Sequence, residues 1–179
     1  MHGIIFAELQ NYAEIKHGKG TWNQILNRAG LQNNIYLPLR EYPDTEAVAL
    51  VTAASVMTDL SPSAVLEDFG EFIAPALLKM FSHLLRPEWK TIDVICNTEG
   101  TVHNVVRVKN PGAKPPELRT RREGPNQVVL VYTSPRQMCD LAIGIGTGLA
   151  TYFKEKVVST QTMCMHKGAP RCEIVFRTT

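Results

Sequence analysis

The sequence predicts an α+β fold, with a helical N-terminal half packed on a C-terminal antiparallel sheet that carries helices of its own. Apolar residues recur at helical spacing behind capping signals up to about residue 80, whereas β-branched runs appear only after residue 126. A length of 179 residues suffices for one sizeable core and not comfortably for two, so residues 1–179 read as a single domain.

The elements follow in order. Ile4, Ile5, Leu9, Tyr12 and Ala13 mark a first helix. Thr21 is placed to cap a second, bearing Trp22, Ile25 and Leu26 and stopped by Gly30. Leu31 to Pro43 reads as a connector, and Asp44 is placed to cap a helix carrying Val48, Val51 and Val56. Ser61-Pro62 is a further helix start, serine as cap and proline in the first turn. Val65, Leu66, Phe69, Phe72 and Ile73 then share a face until Pro75, which is expected to bend or break the helix.

Thr91 to Val108 is mixed: Ile92, Ile95 and Val102 suit a helix, while Gly100 and the valines at 105, 106 and 108 oppose a regular one. Asn110 to Asn126, rich in proline, glycine and charge, reads as a loop. Gln127 to Thr133 is a buried strand, Arg136 to Phe153 an apolar helix, and short strands near Val157 and from Glu173 to Phe176 complete an antiparallel sheet.

Composition excludes several classes. Apolar residues at 44% and charged residues at 20% are ordinary for a globular chain. A net charge of +2 gives no surface for nucleic acid or an anionic membrane, and the basic stretch Lys109 to Arg122 reads as a solvated loop. The apolar start reaches Glu8 and Gln10 too soon for a signal peptide or a membrane span, which makes the cytoplasm the expected compartment. There Cys96, Cys139, Cys164 and Cys172 are expected as thiols. Gly144-x-Gly146-x-Gly148 has no preceding strand and does not open a helix, so it reads as a closely packed helix face rather than a nucleotide loop. No nucleophile–base constellation or carboxylate pair has supporting spacing, and an enzyme is not expected.

Two features carry chemistry. Tyr132, Ser134 and Arg136 fall at alternate positions where a strand ends, so an extended chain aims two hydroxyls and a guanidinium to one side. That donor set suits carboxylates, because the guanidinium fork binds them bidentately. A plain surface strand end has the same pattern. His103 lies among Val102, Val105 and other apolar residues, a setting common for axial haem ligands. A satisfied core histidine is the alternative, and His83 is the next candidate ligand; His2 and His17, like Trp22, Trp89 and Met57, read as filler.

Together these residues resemble the haem-nitric oxide/oxygen binding (H-NOX) family, bacterial stand-alone type, related to the haem domain of soluble guanylate cyclase. The likeness covers Gly3-Ile4-Ile5-Phe6, Trp22, Phe69-Gly70, a histidine before Pro115-Pro116, Tyr132-x-Ser134-x-Arg136, and Cys164-Met165-His166-x-Gly168-Ala169. It implies haem b between the two halves, His103 as the proximal iron ligand, Tyr132, Ser134 and Arg136 on the propionates, and Pro116 pressing on the macrocycle. Thr98 and Gly100 depart from the family's stronger helix formers before His103.

Oxygen-binding relatives carry a tyrosine five residues beyond the signature arginine, where this chain has Leu141. A hydrogen bond to a charged acceptor contributes roughly 1.5–3 kcal/mol, so its loss weakens oxygen binding by about one to two powers of ten. The resemblance therefore implies a sensor of nitric oxide and carbon monoxide that excludes oxygen, with Ile5, Leu9, Ile73 and Leu141 as the apolar wall. It further implies that nitric oxide weakens the bond to His103 and lets the helical half shift, relaying to a separate histidine kinase or cyclic-di-GMP enzyme.

Cys139, Cys164 and Cys172, with His166 nearby, are also a candidate zinc set. Relatives with such a site have a histidine where this chain has Gln161. Buried thiols without metal are the alternative. A zinc-thiol redox sensor and a haem-free binding module thus stand beside the gas sensor as readings of the same fold.

Overall fold

The computed structural model describes Met1–Thr179. Helices α1 (Gly3–His17), α2 (Thr21–Arg28), α3 (Asp44–Thr58) and α4 (Pro62–Met80) form the first half. A 3₁₀ turn (Ser82–Leu84) leads to α5 (Thr91–Asn97), a π-helical turn (Glu99–His103) and α6 (Asn104–Lys109). Strands β1 (Glu117–Arg122) and β2 (Gln127–Thr133), helix α7 (Cys139–Phe153), and strands β3 (Val157–Met163) and β4 (Cys172–Thr178) follow. The antiparallel sheet has the order β1-β2-β4-β3. No single helix is long and apolar enough to cross a membrane.

Capping agrees with expectation at one helix and differs at two. The Ser61 hydroxyl accepts from the Ala64 N–H, with Pro62 as the first helical residue. At α2, however, the Glu14 carboxylate accepts from the Gly20 and Trp22 N–H groups, while Thr21 donates backwards to the His17 carbonyl. A full negative charge suits a helix N-terminus better than a hydroxyl does. Asp44 opens α3 but spends its carboxylate on Arg136 and the Met1 amino group instead of its own helix.

Three further expectations are corrected. Helix α4 runs unbroken through Pro75. Here tertiary packing overrides the missing hydrogen bond: Gly70 lies on the backbone of α7, while Gly144 and Gly148 lie against the Glu67 and Glu71 carbonyls of α4. The loop from Asn110 to Asn126 contains β1, paired with β2 from Glu117↔Thr133 to Arg122↔Val128. Its charges hid it, because Glu117, Arg119 and Arg121 face solvent while Leu118 and Thr120 turn inward. The basic stretch Lys109 to Arg122 is accordingly half strand, not a solvated loop.

Thr91 to Lys109 is one helical run interrupted by the π turn, where the His103 N–H reaches the Thr98 carbonyl. Asn97, Thr98 and Thr101 each donate a side-chain hydrogen bond to a carbonyl four residues back, which competes with the regular ladder. A wide turn of this kind is frequent at functional sites.

Two apolar clusters form the interior. One, drawn from α1 to α4, includes Phe6, Leu9, Leu50, Phe69 and Ile73. The other packs the sheet against α5 and α7 through Ile92, Val128, Ile174 and Phe176, with Ala74 and Leu78 reaching in from α4. Ile145 of α7 touches both.

Candidate functional site

Between these clusters lies a largely apolar cavity of about 510 Å³, within the usual range for cofactor pockets. Helix α1 contributes Ile4 and Ile5, α4 contributes Ala74, Leu77 and Leu78, and α7 contributes Leu141, Ala142 and Ile145. The segment from α5 to β1 contributes Val102, His103, Val105, Val106, Pro116 and Leu118. At its polar end stand Tyr132, Arg136 and Lys114.

His103 sits on the π turn with 15% of its side chain exposed. Its Nδ1 lies 2.9 Å from a Glu99 carboxylate oxygen, which leaves Nε2 as the ring nitrogen for the cavity. Burial lowers the imidazole pKa, and the Arg107 charge adds to this, against upward pulls from Glu99 and a smaller one from the Pro116 carbonyl. A neutral ring is the form that ligates a metal.

The polar end is built by the strand-to-helix turn. Tyr132 ends its outward run buried, its hydroxyl accepting from the Met138 N–H. Ser134 is buried beside it and accepts from the Arg136 N–H, outside the cavity wall itself. Arg136 spans Asp44 of α3 and the Lys114 carbonyl, with 11% of its side chain exposed. Its guanidinium thus joins the two halves at the mouth of the cavity.

A haem fits this donor set: apolar walls from both halves, an imidazole held by its second nitrogen, and a guanidinium with a phenol at one end. Ile5, Pro116 and Leu141 line the cavity as the sequence suggests. Leu9 and Ile73 do not. Each is buried in the helical cluster, rotated toward α1–α4 packing rather than the opening. His83 reaches the rim, exposed on its 3₁₀ turn. His2, read from the sequence as filler, also lines the cavity, carried there as the N-cap of α1, and so do Leu39, Met80 at the end of α4 and Phe81, which had no local signal.

The Haem-NO-binding family pattern matches residues 2–161. The chain belongs to this family. Haem binding and gas sensing are the family's properties. The fold matches that of an H-NOX protein from S. oneidensis, solved in its Fe(II)NO ligation state, with TM-score 0.92 and 23% identity over 100% of this chain and 99% of that one. An H-NOX protein from K. algicida in its Fe(II) unliganded state matches with TM-score 0.87 and 21% identity, covering 100% and 97%. Soluble guanylate cyclase gcy-31 of Caenorhabditis elegans is 22% identical over 138 residues, 76% of this chain. The match spans about a fifth, 20%, of that relative's length.

At the N-terminal end of α7 the sulfurs of Cys139, Cys164 and Cys172, all buried, lie within 4.8 Å of one another. Burial pushes the Cys139 thiol up to about 12, with Asp140 and Cys172 adding to it against the Gln161 amide. Gln161 places a buried Nε2 there without a hydrogen-bond partner. His166 falls outside the three-sulfur group; it clusters instead with Cys139 and Asp140, and its Nε2 lies 2.6 Å from the Gln137 carbonyl. Three tetrahedral ligands are thus together and a fourth is not.

Proposed function

We propose that this H-NOX chain holds haem b through His103 and senses nitric oxide and carbon monoxide while excluding oxygen. One observation carries the reading: a single cavity gathers the neutral imidazole of His103, the guanidinium of Arg136 and the wall residue Leu141, which has no hydrogen to donate. Haem would supply an iron atom able to bind a diatomic gas. His103 would hold that iron through Nε2, while Arg136, Tyr132 and Ser134 would receive the propionates. Pro116, which lines the same cavity, would press on the macrocycle. Leu141, with Ile5 and Ile145, offers apolar surface where a donor would favour oxygen.

Because Arg136 bridges α3 and the β2–α7 turn, occupation of the cavity bears directly on how the halves meet. That junction is the two-state element through which a signal would reach a separate protein, a histidine kinase or a cyclic-di-GMP enzyme, in the cytoplasm. Reconstitution with haem, reduction and exposure to each gas tests the reading. The expected spectrum has a Soret band that moves with nitric oxide and with carbon monoxide and reaches no stable new position in air. Absence of the band overturns haem binding; a stable oxygen-dependent spectrum overturns the selectivity.

A zinc-thiol redox sensor is the second reading, favoured by the three clustered sulfurs. It is opposed by Gln161, whose amide stands where a fourth ligand would be needed, and by His166 lying outside the three-sulfur group. Metal analysis of protein purified without chelator decides it, less than about one-tenth equivalent of zinc removing it. A haem-free binding module is the reading that remains should both measurements fail.

A further inference from the structure

We propose that Glu99 is a positioning residue that strengthens the hold of His103 on iron, through a hydrogen bond from the imidazole to a pinned carboxylate. The inference rests on the haem reading above and names a residue that reading does not use.

Glu99 and His103 stand four residues apart on the π turn, and one carboxylate oxygen of Glu99 lies 2.9 Å from Nδ1. The same oxygen accepts from the Leu118 N–H of β1 at 3.1 Å, and the other takes the Arg107 guanidinium of α6. The carboxylate is therefore fixed from two further elements and cannot swing away from the ring without breaking both contacts. It is also partly withdrawn from water, with 30% of its side chain exposed. A carboxylate is ordinarily ionised at neutral pH, and the Arg107 guanidinium and the Leu118 N–H both donate to it, which favours that form.

An acceptor on Nδ1–H fixes the tautomer and ring orientation and makes Nε2 more basic. An anionic acceptor does this more strongly than a backbone carbonyl, since charge-assisted hydrogen bonds are about twice as strong as neutral ones. Greater donation from Nε2 stiffens the iron–histidine bond and favours the ferric state, so second-shell hydrogen bonding sets the potential. Arg107 opposes this, because its charge draws on the same carboxylate. Removing the anion and removing its competitor should therefore act in opposite directions, which a merely structural role would not do.

The test uses the haem-loaded chain, with resonance Raman of the ferrous form and spectroelectrochemical titration as readouts. Glu99→Gln should lower the iron–histidine stretching frequency. It should also reduce the ferric-to-ferrous ratio at fixed potential about tenfold, an upward shift of about 59 mV for one electron. Arg107→Gln should raise the frequency and move the potential the other way by a smaller amount. Glu123→Gln, on the exposed β1–β2 turn, should move neither. Should Glu99→Gln fail to fold, Arg107→Gln carries the test alone, since that guanidinium is 39% exposed.

An iron–histidine band present in the starting protein and unmoved in both variants overturns the role of Glu99 and leaves His103 ligation standing. Shifts of the same sign in both variants overturn it equally. A starting protein with no such band, and a His103→Gly variant with an unchanged Soret band, would overturn the haem reading first and this inference with it.

Discussion

The seam between α4 and α7 and the segment that carries His103 are held by different forces. At the seam backbones touch: Gly70 lies on the Leu141 carbonyl, Gly144 on the Glu67 carbonyl, and the Ser63 hydroxyl reaches the buried Asp140. Nothing more is needed to complete it. From Cys96 to Asn110, by contrast, no residue is fully buried, and Val102, Val105 and Val106 line the cavity. That segment is held by polar contacts, chiefly those of Glu99 and the Thr120 bond to the Cys96 carbonyl. A region completed by packing is a fixed reference, while one completed by what fills the cavity is free to respond to it.

The largest expected effect breaks the fixed side. Gly144→Ala would put a methyl inside the van der Waals envelope of the Glu67 carbonyl oxygen, an atom that can move only if α4 moves. Overpacking against backbone should cost about 3 kcal/mol. Urea unfolding should show it as a lowered midpoint, by a similar amount with and without haem. A midpoint unchanged within error would mean the seam is loose, and the contrast with the His103 segment would go.

Next in size is the effect of filling the cavity. Haem at 100 times its dissociation constant should add about 2.7 kcal/mol to unfolding stability. Amide hydrogen exchange should show extra protection concentrated between residues 98 and 118, with the α4–α7 amides little changed below global unfolding. His103→Ala should remove most of the local gain. Uniform protection across both regions would erase the distinction.

The same contrast explains what the sequence made legible. Helices with an apolar stripe and a local stop, such as α1 and α2 or Ser61-Pro62 at α4, depend on neighbours in the chain and could be read directly. So could β2, whose valines bury on both faces. Strand β1 could not, because Arg119 and Arg121 answer to solvent while only its pairing with β2 makes it a strand. Pro75 misled for a related reason, because α4 is held by α7 from far along the chain, Gly148 lying against Ala74 and the Glu71 carbonyl. Of the site, His103, Arg136 and Leu141 were visible as types in a pattern. Glu99 was not, since an acid four residues before a histidine is common on any helix, and only the fold adds the Leu118 N–H that pins the carboxylate from β1. Leu9 and Ile73 show the limit of face-reading, where one helical turn separates cavity wall from core.

A smaller effect sits where the regions join. Tyr132→Phe keeps the ring but leaves the buried Met138 N–H at the start of α7 without its acceptor. The cost should be about 1–2 kcal/mol, read as a lowered melting temperature in the haem-free chain. If Tyr132 also receives a propionate, the haem-loaded variant should lose more than the haem-free one. Equal losses would confine Tyr132 to positioning α7.

The smallest effect probes the helical body far from the cavity and is set by pH. Asp68 of α4 accepts from the Tyr12 hydroxyl at 2.7 Å and from Lys16 at 2.8 Å, tying α1 to α4. Burial raises its pKa, but these hydrogen bonds and the Lys16 and His17 charges prevail and leave it lowered. A carboxyl with a depressed folded pKa stabilises above its unfolded value, near about 3.9, and the contribution fades as pH falls through the folded value. Asp68 is 34% exposed and Lys16 46%, so solvent screening holds the term to about 1 kcal/mol or less. Asp68→Asn should therefore lower the urea midpoint at pH 7, and the gap from the starting protein should narrow progressively as pH falls below the unfolded carboxyl value. Because α1 and α4 belong to the packed side, exchange protection between residues 98 and 118 should not change. A loss there would mean the His103 segment reads the stability of the helical body, and the two regions would no longer be separable.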